Sequence, residues 1–334
     1  MNLTSQILNE PKKILKFLQI GISIPIWTEF HKYIIHDINY FQAKSILIKD
    51  DGNVVGHTLI YNENEEILYF GYFGVINHNR NYISFLLSQL LKYAKEKQFK
   101  SIRGPINLPT VIFGWGFMQE GSLESLFVGK PVNPPIYQNL FFQNGFYVKI
   151  EEKSWEGNYL RFNPYRLKQF DYSDYEYFNP NDWNDLMEYK EDFLRIHAEN
   201  MPETAKITPG LEGLFDSYTD YLFNYGYNFM IMFIRYKPTG KIVACGSCLP
   251  NPFRKDAKGN TDSIVAYSWA INKEHRKKGL TLLMFGATSL QAWKKKLRYT
   301  TGPTGGEENI RFAKFADFVN LQNKRTHLIL ELKL

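Results

Sequence analysis

Two stretches of this 334-residue chain repeat the same order of predicted elements. Residues 71–77, Gly-Tyr-Phe-Gly-Val-Ile-Asn, align with residues 266–272, Ala-Tyr-Ser-Trp-Ala-Ile-Asn, and each reads as a strand followed by a helix, a strand and a Gly-Pro pair. A chain of this length ordinarily forms about two domains of roughly 100–200 residues each. The repeat therefore predicts two copies of one α/β fold.

The first copy has a clear periodic pattern. Residues 43–48 and 54–61 alternate like strands around an Asp-Asp-Gly-Asn turn, and residues 67–76 form a third strand. Residues 83–94 carry apolar side chains at helical spacing, and residues 99–103 form the next strand. We expect residues 1–160 to form the first copy of this α/β fold.

The second copy is predicted over residues 161–334, and the polar and aromatic stretch at residues 159–182 is interpreted as the linker and the entry into this copy. Residues 263–271 are apolar without a breaker, which suits a buried strand, and an amphipathic helix follows from Leu282. A short strand at residues 299–301, a helix from 307 to 319 and a final strand at 327–332 complete this copy.

A short basic loop joins the strand to the helix of the second copy. Arg276, Lys277 and Lys278 precede Gly279 at the predicted helix start. The first N–H groups of a helix have no partner and carry about half a positive charge, so they attract phosphate. Glycine lets a ligand approach the backbone closely, and cations add charge-assisted hydrogen bonds. The pattern indicates a site for a pyrophosphate, with a solvated basic surface or a nucleic-acid contact as the other interpretations.

This loop resembles the acyl-CoA pyrophosphate loop of the GNAT (GCN5-related N-acetyltransferase) superfamily, whose pattern is Arg/Gln-x-x-Gly-x-Gly/Ala. Arg276 and Gly279 match, and Thr281 stands where Gly or Ala is usual. The first half resembles uncharacterised bacterial tandem GNAT proteins in three motifs: Arg-Gly-Pro-Ile-Asn at 103–107, Asn-Pro-Pro-Ile-Tyr at 133–137 and Asn-Gly-Phe at 144–146. Leu108 and Ile136 replace aromatic residues usual in those motifs.

The resemblance implies two tandem GNAT-like domains, each a mixed, mostly antiparallel twisted sheet flanked by helices. It also implies that the second domain binds acetyl-CoA or another acyl-CoA. The residues that it places at the cofactor are Ala270, Ile271, Arg276, Lys277, Lys278, Gly279, Leu280, Thr281 and Asn309. The matching loop of the first copy, Asn-His-Asn-Arg-Asn at 77–81, has neither a glycine nor a cationic run. We therefore expect the first copy to be a degenerate scaffold that shapes the acceptor site.

The usual catalytic groups of the superfamily are missing. The helix that often supplies a tyrosine acid has phenylalanines, and Val265 holds the place of a frequent glutamate base. Tyr267 on the central strand is a candidate acid, and Glu307 and Glu308 are candidates for binding or deprotonating an amine. A buried aromatic residue and two partners of a helix dipole are the ordinary alternatives.

The net charge, the apolar runs, the cysteines and the histidines limit the kinds of protein that this chain can be. The net charge of +6 permits an anionic ligand without requiring nucleic acid, and no apolar run approaches a membrane span or a signal peptide, so we expect a cytoplasmic protein. Cys245 and Cys248 are interpreted as small strand residues rather than a metal or redox site, and His197 and His275 as structural. No metal is expected.

The sequence predicts an acyl-CoA-dependent N-acyltransferase that acts on a small-molecule or peptide amine, as a monomer or homodimer. Two alternatives stay open. One is a non-catalytic acyl-CoA-binding or interaction protein, which the missing acid and base favour. The other is an aminoacyl transferase of the Fem type, which is also built from two GNAT-like domains and would bind RNA in a salt-sensitive way.

Overall fold

The computed structural model describes residues 2–21, 26–119, 133–158, 162–200, 215–305 and 308–334, with the backbone only for residues 301–305, 308–313, 323 and 324. The chain forms two compact units, Met1–Glu152 with Arg325–Leu334, and Lys153–Lys324. The predicted boundary lies at residue 160, close to this division. The last ten residues, which the prediction assigns to the second domain, belong to the first unit.

The first unit begins with a strand and two helices, continues with three consecutive strands, and then alternates helices with strands. Its strands are β1 (Leu3–Leu8), β2 (Lys44–Asp50), β3 (Asn53–Tyr61), β4 (Ile67–Val75), β5 (Ser101–Gly104), β6 (Phe117–Met118) and the start of β7 (Tyr147–Asn158). Its helices are α1 (Pro11–Ile14), α2 (His31–Tyr40), α3 (Arg80–Glu96), α4 (Thr110–Phe113) and α5 (Gln138–Gln143).

The second unit contains the end of β7 and the remaining elements. The strands are β8 (Tyr175–Phe178), β9 (Ile231–Tyr236), β10 (Lys241–Pro250), β11 (Ser263–Ile271), β12 (Tyr299–Gly305) and the first residues of β13 (Gln322–Lys333). The helices are α6 (Trp183–Glu188), α7 (Lys190–Asn200), α8 (Phe215–Tyr225), α9 (Leu280–Lys294) and α10 (Glu308–Val319).

The two units share one sheet topology. In the first, β1, β2, β3 and β4 pair antiparallel in sequence order, and β4 then pairs in parallel with β5. In the second, β8, β9, β10 and β11 pair antiparallel, and β11 pairs in parallel with β12. A parallel pair needs a crossover connection, which α3 and α9 supply. This mixed, mostly antiparallel order with flanking helices confirms the predicted fold class.

Three strands depart from the sequence prediction. β1 was not indicated, because four of its six residues are exposed and its pattern of apolar residues is weak. β8 lies inside the predicted linker. The end of β13 pairs antiparallel with β5 of the first unit, Leu330 opposite Gly104 and Leu332 opposite Ile102, which explains why the last residues belong there.

Both central helices form, but only α3 follows its predicted periodicity, because Leu290 and Trp293 of the apolar face predicted for α9 are exposed and Leu282, Met284 and Phe285 are buried instead. The apolar stripe of α3 is buried at Ile83, Leu86, Leu87, Leu90 and Ala94. Each unit has its own apolar core, to which α3 or α9 contributes. Within the described residues, every helix is too short or too polar to cross a membrane.

Candidate functional site

The basic loop of the second unit ends at an uncapped helix. A short turn, Lys273–His275, follows β11, and Gly279 precedes α9 with φ 76° in the left-handed region that favours glycine. Glycine offers no side-chain cap, and the first bond within the helix runs from Leu283 N to Gly279 O. The N–H groups of Leu280, Thr281 and Leu282 therefore stand at the positive end of the helix dipole, where an anion is stabilised.

The three cations of the loop have different environments. Arg276 is bonded to the chain itself, Nε to Ile271 O at 3.2 Å and a terminal nitrogen to Asn200 O at 3.0 Å, so it fixes the loop. Lys277 and Lys278 are exposed, and within the described part of the chain neither forms an ion pair. The two lysines are thus available to an anion at the start of α9.

His275 packs beneath the loop. Its Nδ1 lies 3.0 Å from Tyr175 Oη, and its ring contacts the rings of Tyr175 and Tyr236 with centroids 5.8 and 4.8 Å away. Burial, and then the nearby charge of Lys278, lower the pKa of His275, so its ring is neutral near pH 7. These contacts agree with the structural role expected for His275.

A segment of the predicted linker lies against the loop. Phe170 packs on Gly279 so closely that a Cβ at Gly279 would lie 2.7 and 2.8 Å from the two Cδ atoms of the ring. Tyr172 Oη donates a hydrogen bond of 3.1 Å to Gly279 O. Sequence reasoning missed both residues, because the linker pattern is polar and aromatic and indicates no partner.

The pairing of β11 with β12 ends at Val265, and the side of β11 beyond that point is called the β11 cleft below. The parallel pairing of β11 with β12 covers Ser263, Ile264 and Val265, and the following residues 266–269 have partly exposed side chains. A β-bulge interrupts the pairing with β10, where Ser247 lies opposite Ser268 and Cys248 opposite Ala266. Tyr267 is the extra residue of this bulge.

Tyr267 and the two strand-end residues predicted to bind the cofactor are placed along this cleft. The ring of Tyr267 is half-buried and packs against Tyr218 with centroids 5.6 Å apart. Ala270 is buried and Ile271 half-buried at the end of β11. The side chain of Leu280 is buried, so this residue can offer a ligand only its N–H group.

The equivalent cleft of the first unit is filled by its own chain. β4 pairs with β5 only at Ile67, Leu68 and Tyr69, and residues 106–108 then occupy the space beside β4. Ile106 N donates to Phe70 O at 2.7 Å, Tyr72 N donates to Asn107 Oδ1 at 2.8 Å, and Tyr72 Oη donates to Leu108 O.

The filled cleft of the first unit explains the burial of the residues of β4. Every residue of β4 after Ile67 is buried, whereas β11 is partly exposed at the aligned positions. The bulge recurs at the same place, because His57 lies opposite Gly74 and Leu59 opposite Gly71, with Tyr72 aligned to Tyr267. The helix start also differs, since the side chain of Asn79 caps α3 by accepting bonds from Asn81 N and Tyr82 N.

The remaining predicted site residues are Glu307, Glu308 and Asn309. Glu307 lies outside the described residues. Glu308 and Asn309 belong to the first turn of α10, for which the structure gives the backbone only. Their roles as candidates for amine binding, proton transfer and cofactor contact stay predictions.

The two cysteines are buried inside β10. Both are free thiols, and burial raises the pKa of Cys248 to about 12 and that of Cys245 well above its usual value. His197 Nδ1 lies 3.3 Å from Cys245 Sγ and 2.9 Å from Phe193 O, and burial lowers the pKa of His197 to about 4. A neutral thiol beside a neutral imidazole is not an activated nucleophile, so these groups fit the predicted structural role.

Neither protein-family models nor the sequences of curated proteins match this chain. Solved structures do. A tandem GNAT protein from the clavulanic acid biosynthesis pathway, without acetyl-CoA, is 11% identical with a TM-score of 0.62 over 99% of this chain and 98% of its own.

Two further solved structures are similar to this chain over nearly all of its length. A probable N-acyltransferase of unknown function from Enterococcus faecalis V583 is 11% identical with a TM-score of 0.61, over 100% of this chain and 73% of its own. A GCN5-related N-acetyltransferase from Sphaerobacter thermophilus is 8% identical with a TM-score of 0.59, over 99% and 95%. The alignments run through both units, and identities this low establish the fold alone. The chain therefore has the fold of the tandem GNAT proteins.

Proposed function

We propose that this protein is an acyl-CoA-dependent N-acyltransferase whose second unit binds the cofactor. The observation that carries the proposal is the difference between the two units. In the second, residues 266–269 of β11 are partly exposed and α9 begins at an uncapped glycine, whereas in the first residues 106–108 fill the cleft beside β4 and Asn79 caps α3. A site kept open and polar in one copy, and closed in the other, is what a single bound cofactor per chain requires.

The start of α9 suits the pyrophosphate of CoA. The N–H groups of residues 280–282 and the two exposed lysines supply hydrogen bonds and positive charge in one place. Arg276 would contribute by holding the loop, because its guanidinium is already bonded to two carbonyl oxygens. We assign phosphate binding to Lys277, Lys278 and the backbone N–H groups of residues 280–282.

The filled cleft of the first unit indicates how the second could hold a pantetheine arm. There the chain presents one amide oxygen to the backbone N–H of Tyr72 and another to its hydroxyl. A pantetheine arm also carries two amide groups and ends in the thioester. By this parallel we assign to Tyr267, with its backbone N–H and its hydroxyl, the contacts to carbonyl oxygens of the bound cofactor.

When bound, acyl-CoA supplies the acyl group as a thioester. The chain would then position it along β11 and orient its carbonyl oxygen toward the hydrogen-bond donors of the bulge, where negative charge develops during attack by an amine. Tyr267, Glu307 and Glu308 are the candidates for proton transfer. The acceptor class is a small-molecule or peptide amine.

A non-catalytic acyl-CoA-binding protein is the second candidate. Val265 holds the position of a carboxylate base, and it is fully buried. Such a protein would bind acyl-CoA and transfer nothing to any member of an amine panel.

Calorimetric titration with acetyl-CoA tests the proposal. We expect one site per chain, and we expect Lys278→Glu to weaken it by about tenfold or more, because a charge-assisted contact is replaced by repulsion. Lys294→Glu is the matched control, since it makes the same charge change at the opposite end of α9, in its last turn. The absence of heat with acetyl-CoA, CoA and longer acyl-CoAs would refute cofactor binding, and equal effects of the two variants would refute the assignment of the site.

A further inference from the structure

The segment before β8 forms a fixed support along α9. The ring of Phe162 contacts Phe285 edge-on with centroids 5.4 Å apart, and Leu167 lies against Gly286. Phe170 then lies against Gly279, seven residues earlier, which is the same face of the helix. The hydrogen bond from Tyr172 Oη to Gly279 O closes the segment over the start of α9.

Phe170 is packed on Gly279 and is still partly exposed to solvent. Its ring rests on Gly279 and tilts against Tyr172 with centroids 6.2 Å apart, yet 38% of the residue is exposed. Lys277 and Lys278, both exposed, belong to the same short loop. An exposed apolar ring is unfavourable in water, and this ring packs on Gly279, the residue that follows the two lysines in sequence and precedes the first N–H groups of α9.

A flat aromatic surface beside a phosphate site is the arrangement that recognises a nucleotide. Bases stack on aromatic side chains with a gain of about 1–3 kcal/mol for each base, while cations take the phosphates. We propose that Phe170 is the platform for the adenine base of CoA, so that the second unit distinguishes a nucleotide-bearing acyl donor from acyl-phosphopantetheine. This inference rests on the proposed cofactor site.

The ligand pair acetyl-CoA and acetyl-phosphopantetheine tests it, because the second compound lacks the 3′-phosphoadenosine and one phosphate of the pyrophosphate but keeps the pantetheine arm and the other phosphate. Calorimetry on the full-length protein should show that Phe170→Ala weakens acetyl-CoA binding by about tenfold and leaves acetyl-phosphopantetheine binding unchanged. Phe170→Trp should retain or strengthen acetyl-CoA binding. Tyr165→Ala is the matched control, since Tyr165 lies on the same segment, is 70% exposed and stacks with Lys168 instead.

Each of the other possible outcomes refutes a different part of the proposal. If the wild-type protein binds neither ligand, the proposed cofactor site fails, and the platform fails with it. If it binds acetyl-CoA and Phe170→Ala has no effect, only the platform fails. An equal loss of affinity for both ligands in Phe170→Ala would mean that Phe170 supports the loop. A gain in affinity would mean that its ring covers the site. Either result would refute stacking on the adenine. Circular dichroism of each variant establishes that it is folded.

Discussion

Replacement of Gly279 by alanine probes the contact on which the site is built. Gly279 has φ 76°, and a methyl group there would lie 2.7 and 2.8 Å from the Cδ atoms of Phe170. The substitution therefore meets two separate obstacles. One belongs to the backbone, and the other belongs to the ring packed on it.

The magnitude of each obstacle can be worked out. A non-glycine residue in the left-handed region costs about 1–2 kcal/mol. Displacing a packed ring costs about 1–3 kcal/mol more, as in other overpacked sites. We expect Gly279→Ala to lower the free energy of unfolding by about 3 kcal/mol. Gly259→Ala is the matched control, because Gly259 has φ 82° and nothing within 4 Å of its added Cβ, so only the backbone cost applies.

Urea unfolding followed by circular dichroism measures both variants, alone and with Phe170→Ala. The Phe170→Ala background should reduce the cost of Gly279→Ala to that of Gly259→Ala, which gives a coupling energy of about 1–3 kcal/mol between residues 170 and 279. A cost of Gly279→Ala that is the same in both backgrounds would refute the contact. The same geometry makes a large residue at 279 a poor probe of phosphate binding, because it disturbs Phe170 even without a ligand.

Two further predictions concern the first unit. Asn79→Ala removes the cap of α3 and should lower the free energy of unfolding by about 1 kcal/mol without changing acetyl-CoA affinity, and an unchanged urea midpoint would contradict the cap. Burial lowers the pKa of His57 to about 3, from about 6.5 in the unfolded chain. Between these two pH values only the unfolded chain binds the proton. The free energy of unfolding therefore falls as the pH falls. From pH 7 to pH 5 the part of the loss due to His57 should be about 2 kcal/mol, which is the difference expected between the wild type and a His57→Leu variant; a variant with the same pH dependence would refute this origin.

Much of the fold follows from local patterns in the sequence. The apolar stripe of α3, the alternation of β2 and β3 around their turn, and the glycine that begins α9 each depend on residues a few positions apart. The physical preferences that act there, burial of one face and the conformational freedom of glycine, operate within such short windows. For the same reason the aligned strands at residues 71–77 and 266–272 predicted two copies of one topology.

The tertiary structure alone decided which groups meet. Residues 106–108 fill the cleft of the first unit, and their sequence indicates no partner in β4. Phe170 packs on Gly279 across more than one hundred positions, and the end of β13 pairs with β5 across more than two hundred. β1 escaped prediction because an edge strand with exposed side chains has little apolar pattern. Contacts of this kind depend on which surfaces remain unpaired after the local elements form, and that is a property of the packed units rather than of any one stretch of sequence.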